Sequence, residues 1–120
     1  MRVDNFQQVL EDLNSSSSDI EASALISNDG LVIASALPAG IDDDRVGAMS
    51  AALLSLGDRA RRELARGSID RIMIQGEKGY VITTSAGDEA VLTIMAKSNA
   101  KLGLIFLDIK RAAAALAKLI

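Results

Sequence analysis

Cysteine and histidine are both absent from this chain. Their absence removes thiolate nucleophiles, disulfide bonds and the usual zinc ligands. It also removes the side chain that most often acts as a general base near neutral pH. No disulfide framework indicates secretion, and the first residues lack the charged head and apolar core of a signal peptide. We therefore expect a cytoplasmic protein.

Aromatic residues and a net positive charge are also lacking. Phe6, Tyr80 and Phe106 are the only aromatic residues, and the formal net charge is −3. Nucleic-acid binding normally uses a basic face and, for single strands, several rings on which bases stack. No segment approaches the roughly 20 apolar residues that a membrane-spanning helix needs. We expect neither a nucleic-acid partner nor insertion into a membrane.

Phosphate-binding and catalytic motifs are missing as well. The chain contains neither GxxxxGK[ST] nor GxGxxG, so we expect no bound nucleotide and no cofactor. Its serines have no histidine partner, and no spacing supports a Ser-Lys pair. We therefore expect no catalytic residue, and an enzyme ranks last among the functional hypotheses.

The run Asp42-Asp43-Asp44 has two interpretations. Carboxylate oxygens suit divalent cations, but no glycine-bearing twelve-residue calcium loop surrounds this run. Acidic residues also cap helices and favour the positive N-terminal end of the helix dipole. We interpret the run as the start of a helix and expect no metal site.

The 120 residues are 49% hydrophobic, enough for the core of a single domain over residues 1–120. Phe6, Leu10 and Leu13 recur at helical spacing, and helical patterns return over 43–65 and 101–120. Apolar runs bounded by turn residues predict the strands 20–27, 31–35, 69–75, 80–84 and 90–96. The expected order of elements is α-β-β-α-β-β-β-α.

Short connections between most predicted strands favour a largely antiparallel sheet. Asn28-Asp29-Gly30 is typical of a hairpin turn, because these residues tolerate positive φ and bond locally. The strand sequences IMI, YVI and VLTIM do not alternate between polar and apolar residues, so both sheet faces should be covered. We predict an α+β fold, a three-layer α/β/α sandwich. A five-stranded sheet has the middle helix on one face and the terminal helices on the other.

The predicted middle helix carries two neighbouring stripes. Large apolar residues recur at spacings of three and four, and small residues follow a second line beside them. Glycine inside a helix costs about 1 kcal/mol relative to alanine, so two glycines in the second line indicate another backbone packed close by. The apolar stripe consists of Val46, Met49, Leu53, Leu56, Ala60 and Leu64. The small stripe consists of Gly47, Ser50, Leu54 and Gly57.

Four arginines lie in the sequence DRARRELAR, at positions 59, 61, 62 and 66. One interpretation is a solvated helix face with carboxylate pairs such as Asp58 with Arg62 at i,i+4. The other is that one or more of these arginines contact an acidic surface on a partner. The pattern alone leaves both open.

Three stretches together suggest a family. They are ALISNDGLVIAS at 24–35, AALLSLGDRARREL at 51–64 and AKLGLIFLDIKRAA at 100–113. With the order of elements, they resemble the Roadblock/dynein light chain family, in which small bacterial MglB-like proteins are closest in type. The resemblance covers nearly the whole chain. Its most specific features are the Asp29-Gly30-Leu31 hairpin and Leu102-Gly103-Leu104 at the entry to the last helix.

The resemblance implies a homodimer whose sheets join edge to edge and whose middle helices lie side by side. It also implies regulation or anchoring of a Ras-like small GTPase that the dimer binds without binding nucleotide itself. We place the dimer contact at the small stripe and at the apolar third strand, which would otherwise be an exposed edge. These residues are Gly47, Ser50, Leu54, Gly57, Ile69, Ile72 and Ile74. The outward face of the middle helix would meet the GTPase: Ala48, Ala51, Ser55, Asp58, Arg59 and Arg62.

Three functional hypotheses follow. The first is a homodimeric regulator that modulates the switch segments or the hydrolysis rate of a Ras-like GTPase. The second is a dimeric scaffold that assembles a larger complex with no effect on GTP hydrolysis. The third is a small-molecule sensor, because helix-covered antiparallel sheets can hold ligands, although the sequence offers few buried polar candidates. Capture that depends on the bound nucleotide would separate the first two.

Overall fold

The computed structural model describes the backbone of residues 2–120 and the side-chain surroundings from residue 4 onward. Its elements follow the predicted order, α-β-β-α-β-β-β-α, which confirms the α+β class. The helices are α1 (Arg2–Ser16), α2 (Asp43–Glu63) and α3 (Leu102–Leu119). The strands are β1 (Ile20–Ser27), β2 (Val32–Ala36), β3 (Ile72–Gly76), β4 (Gly79–Ala86) and β5 (Ala90–Ala96).

All five strands form one antiparallel sheet in the order β2-β1-β5-β4-β3. The central strand β5 is the most apolar, and Val91, Leu92 and Ile94 are fully buried. The two edges are β2 and β3. The prediction that the third strand is an edge strand is therefore confirmed.

The helices cover both faces of the sheet, as predicted. On one face, α1 and α3 pack against each other and against the strands, around fully buried Leu10, Leu25 and Leu116. On the other face lies α2, which contacts every strand. There the Ser50 and Thr93 hydroxyls are 2.8 Å apart, and those of Thr83 and Thr93 are 3.0 Å apart, all three buried. These three hydroxyls form a polar ladder between α2 and the sheet.

Two local predictions are confirmed by hydrogen bonds. Asn28-Asp29-Gly30 forms the β1–β2 turn, where the Gly30 amide donates to the Ser27 carbonyl oxygen at 3.0 Å and Gly30 has a φ of +93°. Asp42 caps α2, because its carboxylate accepts from the Asp44 amide at 3.0 Å. Both features follow from the local chemistry of short polar side chains.

The segment between α2 and β3 differs from the prediction. The sequence predicted a strand from residue 69, whereas β3 begins at Ile72. After α2 ends at Glu63, Ala65 and Gly67 have positive φ values of 53° and 80°, so the chain turns before it reaches the sheet. Ile69 lies in this turn segment, half-buried, and not in the edge strand. Among the described residues, no helix is both long and apolar enough to cross a bilayer.

Candidate interaction surface

The small stripe of α2 faces the chain's own sheet. Gly47 and Ser50 are buried, and a Cβ added to Gly47 would overlap the carbonyl oxygen of Gly30. A Cβ added to Gly57 would lie 2.5 Å from Cδ1 of Ile72. The close approach indicated by these glycines therefore occurs within one chain, between α2 and the strands beneath it.

This placement corrects the predicted dimer contact. Gly47 and Ser50 have no surface left for a second chain, and Gly57 lies against Ile72 and Ile69. Ile72 itself is half-buried beneath α2. Of the predicted interface residues, only Ile74 presents a large exposed side chain, with 47% of its surface accessible.

The apolar stripe lies instead on one side of α2, and we call it the apolar flank (Val46, Met49, Leu53, Leu56, Ala60 and Leu64). Met49 is 53% exposed, and Leu56 and Leu64 are each 65% exposed. At 100° per residue, this flank lies beside the small stripe and on the side of the helix away from the outward residues. The sequence pattern is that of a buried face, yet in a single chain the flank is largely open to solvent.

The apolar flank is close to the edge strand. The C-terminal half of α2 lies over β3, since Gly57 meets Ile72. On β3, Met73 and Ile74 are 40% and 47% exposed. Solvent-exposed apolar groups thus occur on both the helix flank and the adjacent open edge, where the strand's backbone groups lack a neighbouring strand.

The predicted GTPase-facing residues form what we call the outer face of α2. Ala48, Ser55, Arg59 and Arg62 are exposed, whereas Ala51 and Asp58 are half-buried. Most of this set therefore lies on the solvent side of the helix, as the 100° count predicted.

Ion pairs engage the arginines of this helix. Asp58 accepts from Arg61 at 2.8 Å and from Arg62 at 3.2 Å, which confirms the predicted i,i+4 pair. Arg59 pairs with Glu63 at 3.0 Å, with both side chains more than half exposed. Exposed pairs of this kind contribute about 0–1 kcal/mol, so the arginines can exchange these partners for another surface at small cost.

A groove of about 660 Å³ runs along the side of α2 opposite the apolar flank. It brings together three of the predicted GTPase-facing residues, Ala51, Ser55 and Asp58, with Leu54 and Ile69 of the predicted dimer contact, and it leaves out Ala48, Arg59 and Arg62. Its far wall is formed by the turns between strands, at Asn28, Gly87 and Asp88, and the side-chain amide nitrogen of Asn28 donates to the Asp88 carbonyl oxygen at 2.9 Å. The β1–β2 turn therefore reverses the chain and also borders a surface groove.

Leu31 is an exposed residue of this region that the sequence pattern assigned to a strand. It follows Gly30, which packs against Ala48 and Ala51 of α2, and it is 68% exposed, the highest value among the large hydrophobic residues. The sequence signal that could have identified Leu31 as an exposed apolar residue is its position directly after a polar turn.

The described residues hold no cluster of three or more His, Cys, Asp or Glu side chains arranged to bind a metal ion. Asp43, the neighbour of the capping Asp42, accepts a hydrogen bond from the Ser35 hydroxyl at 3.1 Å. The side chains that this surface presents are mainly apolar, small or arginine.

A model of the Roadblock/LC7 domain matches residues 6–96. Two uncharacterized proteins of Methanocaldococcus jannaschii are each 39% identical over 106 residues, which is 88% of this chain and 91% of theirs. Among solved structures, an MglB in a tetrameric arrangement superposes with a TM-score of 0.89 at 24% identity, covering 98% of this chain and 89% of that one. MglB of Myxococcus xanthus gives 0.87 at 22% identity, covering 98% and 92%. At these identities the structural likeness is one of fold.

Proposed function

The chain belongs to the Roadblock/LC7 domain family, and on that premise we propose that it is a homodimeric, cytoplasmic binding module that regulates a Ras-like small GTPase. The module binds no nucleotide itself and carries out no chemistry. The observation that carries the proposal is the exposed apolar flank of α2 beside the open edge of β3.

Solvent exposure of the apolar flank supports self-association. Contiguous apolar patches larger than a few hundred Å² are rare on monomeric proteins and mark interfaces. A second copy related by a two-fold axis would bring the same flank and the same edge, so Leu56 and Leu64 would pack against their equivalents. Pairing of the two β3 edges would also satisfy their free backbone groups and bury Met73 and Ile74. The dimer contact proposed here thus keeps Ile74 and replaces the small stripe with the apolar flank.

The outer face of α2 is the proposed GTPase contact. It lies away from the apolar flank and the sheet, so dimer formation leaves it accessible and places two copies side by side. Arg59 and Arg62 supply long side chains on a face whose other exposed members, Ala48 and Ser55, are short. Arginine is enriched at interface centres, and short neighbours leave room for a partner's loops. The apolar side chain of Leu31 lies near the same region, across Gly30 from Ala48.

The proposed mechanism is a shift of the GTPase switch segments. Binding energy changes a conformational equilibrium only by the difference in affinity for its two states. A module that prefers the GTP-bound switches would hold them in the arrangement needed for hydrolysis. An arginine finger is not part of the proposal, which assigns Arg59 and Arg62 to binding the partner surface and not to the hydrolysis step.

Nucleotide dependence is the test. The purified protein is immobilised and exposed to lysate of the source cell containing GDP or a non-hydrolysable GTP analogue, and captured GTPases are identified by mass spectrometry. Capture of a small GTPase that is stronger in one nucleotide state supports regulation, and the rate of GTP hydrolysis is then measured with the purified pair. Equal capture in both states with an unchanged hydrolysis rate would favour the alternative, a dimeric scaffold. Absence of any captured GTPase contradicts both.

A further inference from the structure

A second groove lies on the opposite face of the sheet from α2. It has a volume of about 440 Å³ and runs between α3, the end of β4 and the segment that precedes β3. We call it the α3 groove. It exists because pairing with β3 ends at Thr83, whose partner is Ile72, whereas β4 continues to Ala86. The last residues of β4 therefore pair with β5 on one side but have no strand on the β3 side.

Apolar and polar side chains share the walls of the α3 groove, and its α3 side is lined by small residues. Ile82 and Ile109 are buried at its base, and Phe106 is half-buried at one end. Three alanines of α3 line the rest of the helix side: Ala113, Ala114 and Ala117. Methyl side chains cannot reach across to the strand, so the space between them stays open. The volume of the groove falls within the range of about 300–1,000 Å³ that is typical of small-ligand sites.

Two cations line the same groove. The Arg71 guanidinium lies 3.9 Å from the centre of the Phe106 ring, so a cation–π contact holds it at the groove wall. Lys110 follows Phe106 by one helical turn and therefore shares its side of α3. The ion pairs found among the described residues involve Arg59, Arg61 and Arg62, and neither Arg71 nor Lys110. Asp70 is the one acidic lining residue, which leaves the lining with an excess of one positive charge.

We infer that the α3 groove binds a small organic carboxylate with an apolar body, such as a medium-chain aliphatic acid. The carboxylate accepts hydrogen bonds from Arg71 and Lys110, since a guanidinium and an ammonium are the natural donors to it. The hydrocarbon body lies on Ile109 and the alanines, where its apolar surface is removed from water. Thr84 keeps the groove open, because its hydroxyl donates to the Asp70 carbonyl oxygen at 2.7 Å and anchors the segment before β3 to β4.

The α3 groove contains no residue of the outer face or of the apolar flank, although it shares Ile69, Ser85 and Gly87 with the groove beside Ala51, Ser55 and Asp58. It lies on the α3 side of the sheet, whereas the outer face and the apolar flank belong to α2 on the other side. The proposed carboxylate site therefore uses none of the residues proposed for dimer formation or for GTPase capture, so each proposal can be tested separately.

The experiment titrates the ¹⁵N-labelled protein with sodium octanoate and with 1-octanol to millimolar concentration. Chemical-shift changes should be confined to amides around the groove, including those of Thr84, Phe106 and Ala113, which line this groove and not the one beside α2. Arg71→Gln combined with Lys110→Gln should weaken octanoate binding about tenfold, because two charge-assisted hydrogen bonds are lost. Binding of 1-octanol should change little. The matched control is Lys101→Gln with Lys118→Gln, which removes two charges that lie outside the groove lining.

A second variant tests the cavity itself. Ala114 is exposed at the groove's edge, so Ala114→Phe should be tolerated by the fold and should weaken both ligands by obstructing the groove. Octanoate shifts that map to the apolar flank of α2 or to the exposed Leu104 and Leu107 would overturn the proposal. So would equal octanoate affinity of the Arg71/Lys110 variant and its control, or no saturable shift at all.

Discussion

Gly47 of α2 packs against Gly30 of the β1–β2 turn so closely that a Cβ on Gly47 would overlap the Gly30 carbonyl oxygen. The contact joins two backbones that are adjacent in space because the N-terminal half of α2 crosses the β1–β2 hairpin. It explains a glycine inside a helix, which otherwise costs about 1 kcal/mol relative to alanine. It also connects the turn at Asn28-Asp29-Gly30 to the helix that carries the proposed partner surface.

Gly47→Ala should therefore destabilise the protein. Backbone cannot move aside as a flexible side chain can, so overpacking should cost about 1–3 kcal/mol, measured by urea unfolding. The Cβ that Gly57→Ala adds meets mainly the end of the Ile72 side chain, which can move. The strain should therefore be partly relieved, and the loss in unfolding free energy should be smaller than for Gly47→Ala. Gly103→Ala, which enters open space on α3, serves as the control and should be neutral or slightly stabilising. Equal stability of the Gly47 and Gly103 variants would contradict this assignment.

Replacing Leu56 and Leu64 together with lysine should convert a dimer into a monomer. Both side chains are 65% exposed within one chain, so the fold should tolerate the change, whereas four buried lysines would oppose the interface. Analytical ultracentrifugation at micromolar concentration measures the mass. The matched control is Leu104→Lys on α3, also highly exposed, which should remain dimeric. A monomeric wild type, or a variant that stays dimeric, would remove the apolar flank from the interface.

Reversing the charge of Arg59 and Arg62 to glutamate should abolish GTPase capture and preserve the dimer. The exposed pairs with Glu63 and Asp58 are weak, so the loss in unfolding free energy should not exceed about 1–2 kcal/mol. Capture is measured by pull-down and stability by thermal unfolding. Lys101→Glu with Lys118→Glu makes the same change in net charge on the opposite layer and should leave capture intact. If both double variants capture the GTPase equally, the contact lies elsewhere, and the groove bordered by Asn28 and Asp88 is the next surface to change.

Thr93→Val should destabilise the fold through the hydroxyl groups it leaves behind. Thr93 bonds both Ser50 and Thr83, so its loss leaves two buried hydroxyls short of a partner, at about 1–3 kcal/mol. A triple variant removes the whole polar ladder by combining Ser50→Ala, Thr83→Val and Thr93→Val. This triple variant should be more stable than Thr93→Val alone. Urea unfolding of both proteins checks the order. A triple variant less stable than Thr93→Val would show that the ladder acts through packing.

Much of the fold follows from local sequence. The helices at Phe6-Leu10-Leu13 and over α3, the hairpin at Asn28-Asp29-Gly30 and the cap at Asp42 all depend on periodicity or on bonds between near neighbours. The order of elements and the antiparallel character of the sheet follow from them. The start of β3 differed most from the prediction, because Ala65 and Gly67 turn the chain and no apolar pattern marks where pairing with β4 begins; β4 also runs to Ala86, two residues beyond the predicted end.

The sequence by itself determined that α2 has an apolar stripe and a small stripe side by side. Only the tertiary structure decided which of them is buried. The sheet beneath α2 supplies bulky side chains such as Val32 and Ile72 and the backbone of Gly30, so only the small stripe can approach closely enough to pack. The larger residues are left on the flank, where their burial depends on contact with another molecule. The periodicity of the sequence shows that two stripes exist. Which of the two is buried depends on the volume that distant residues already occupy.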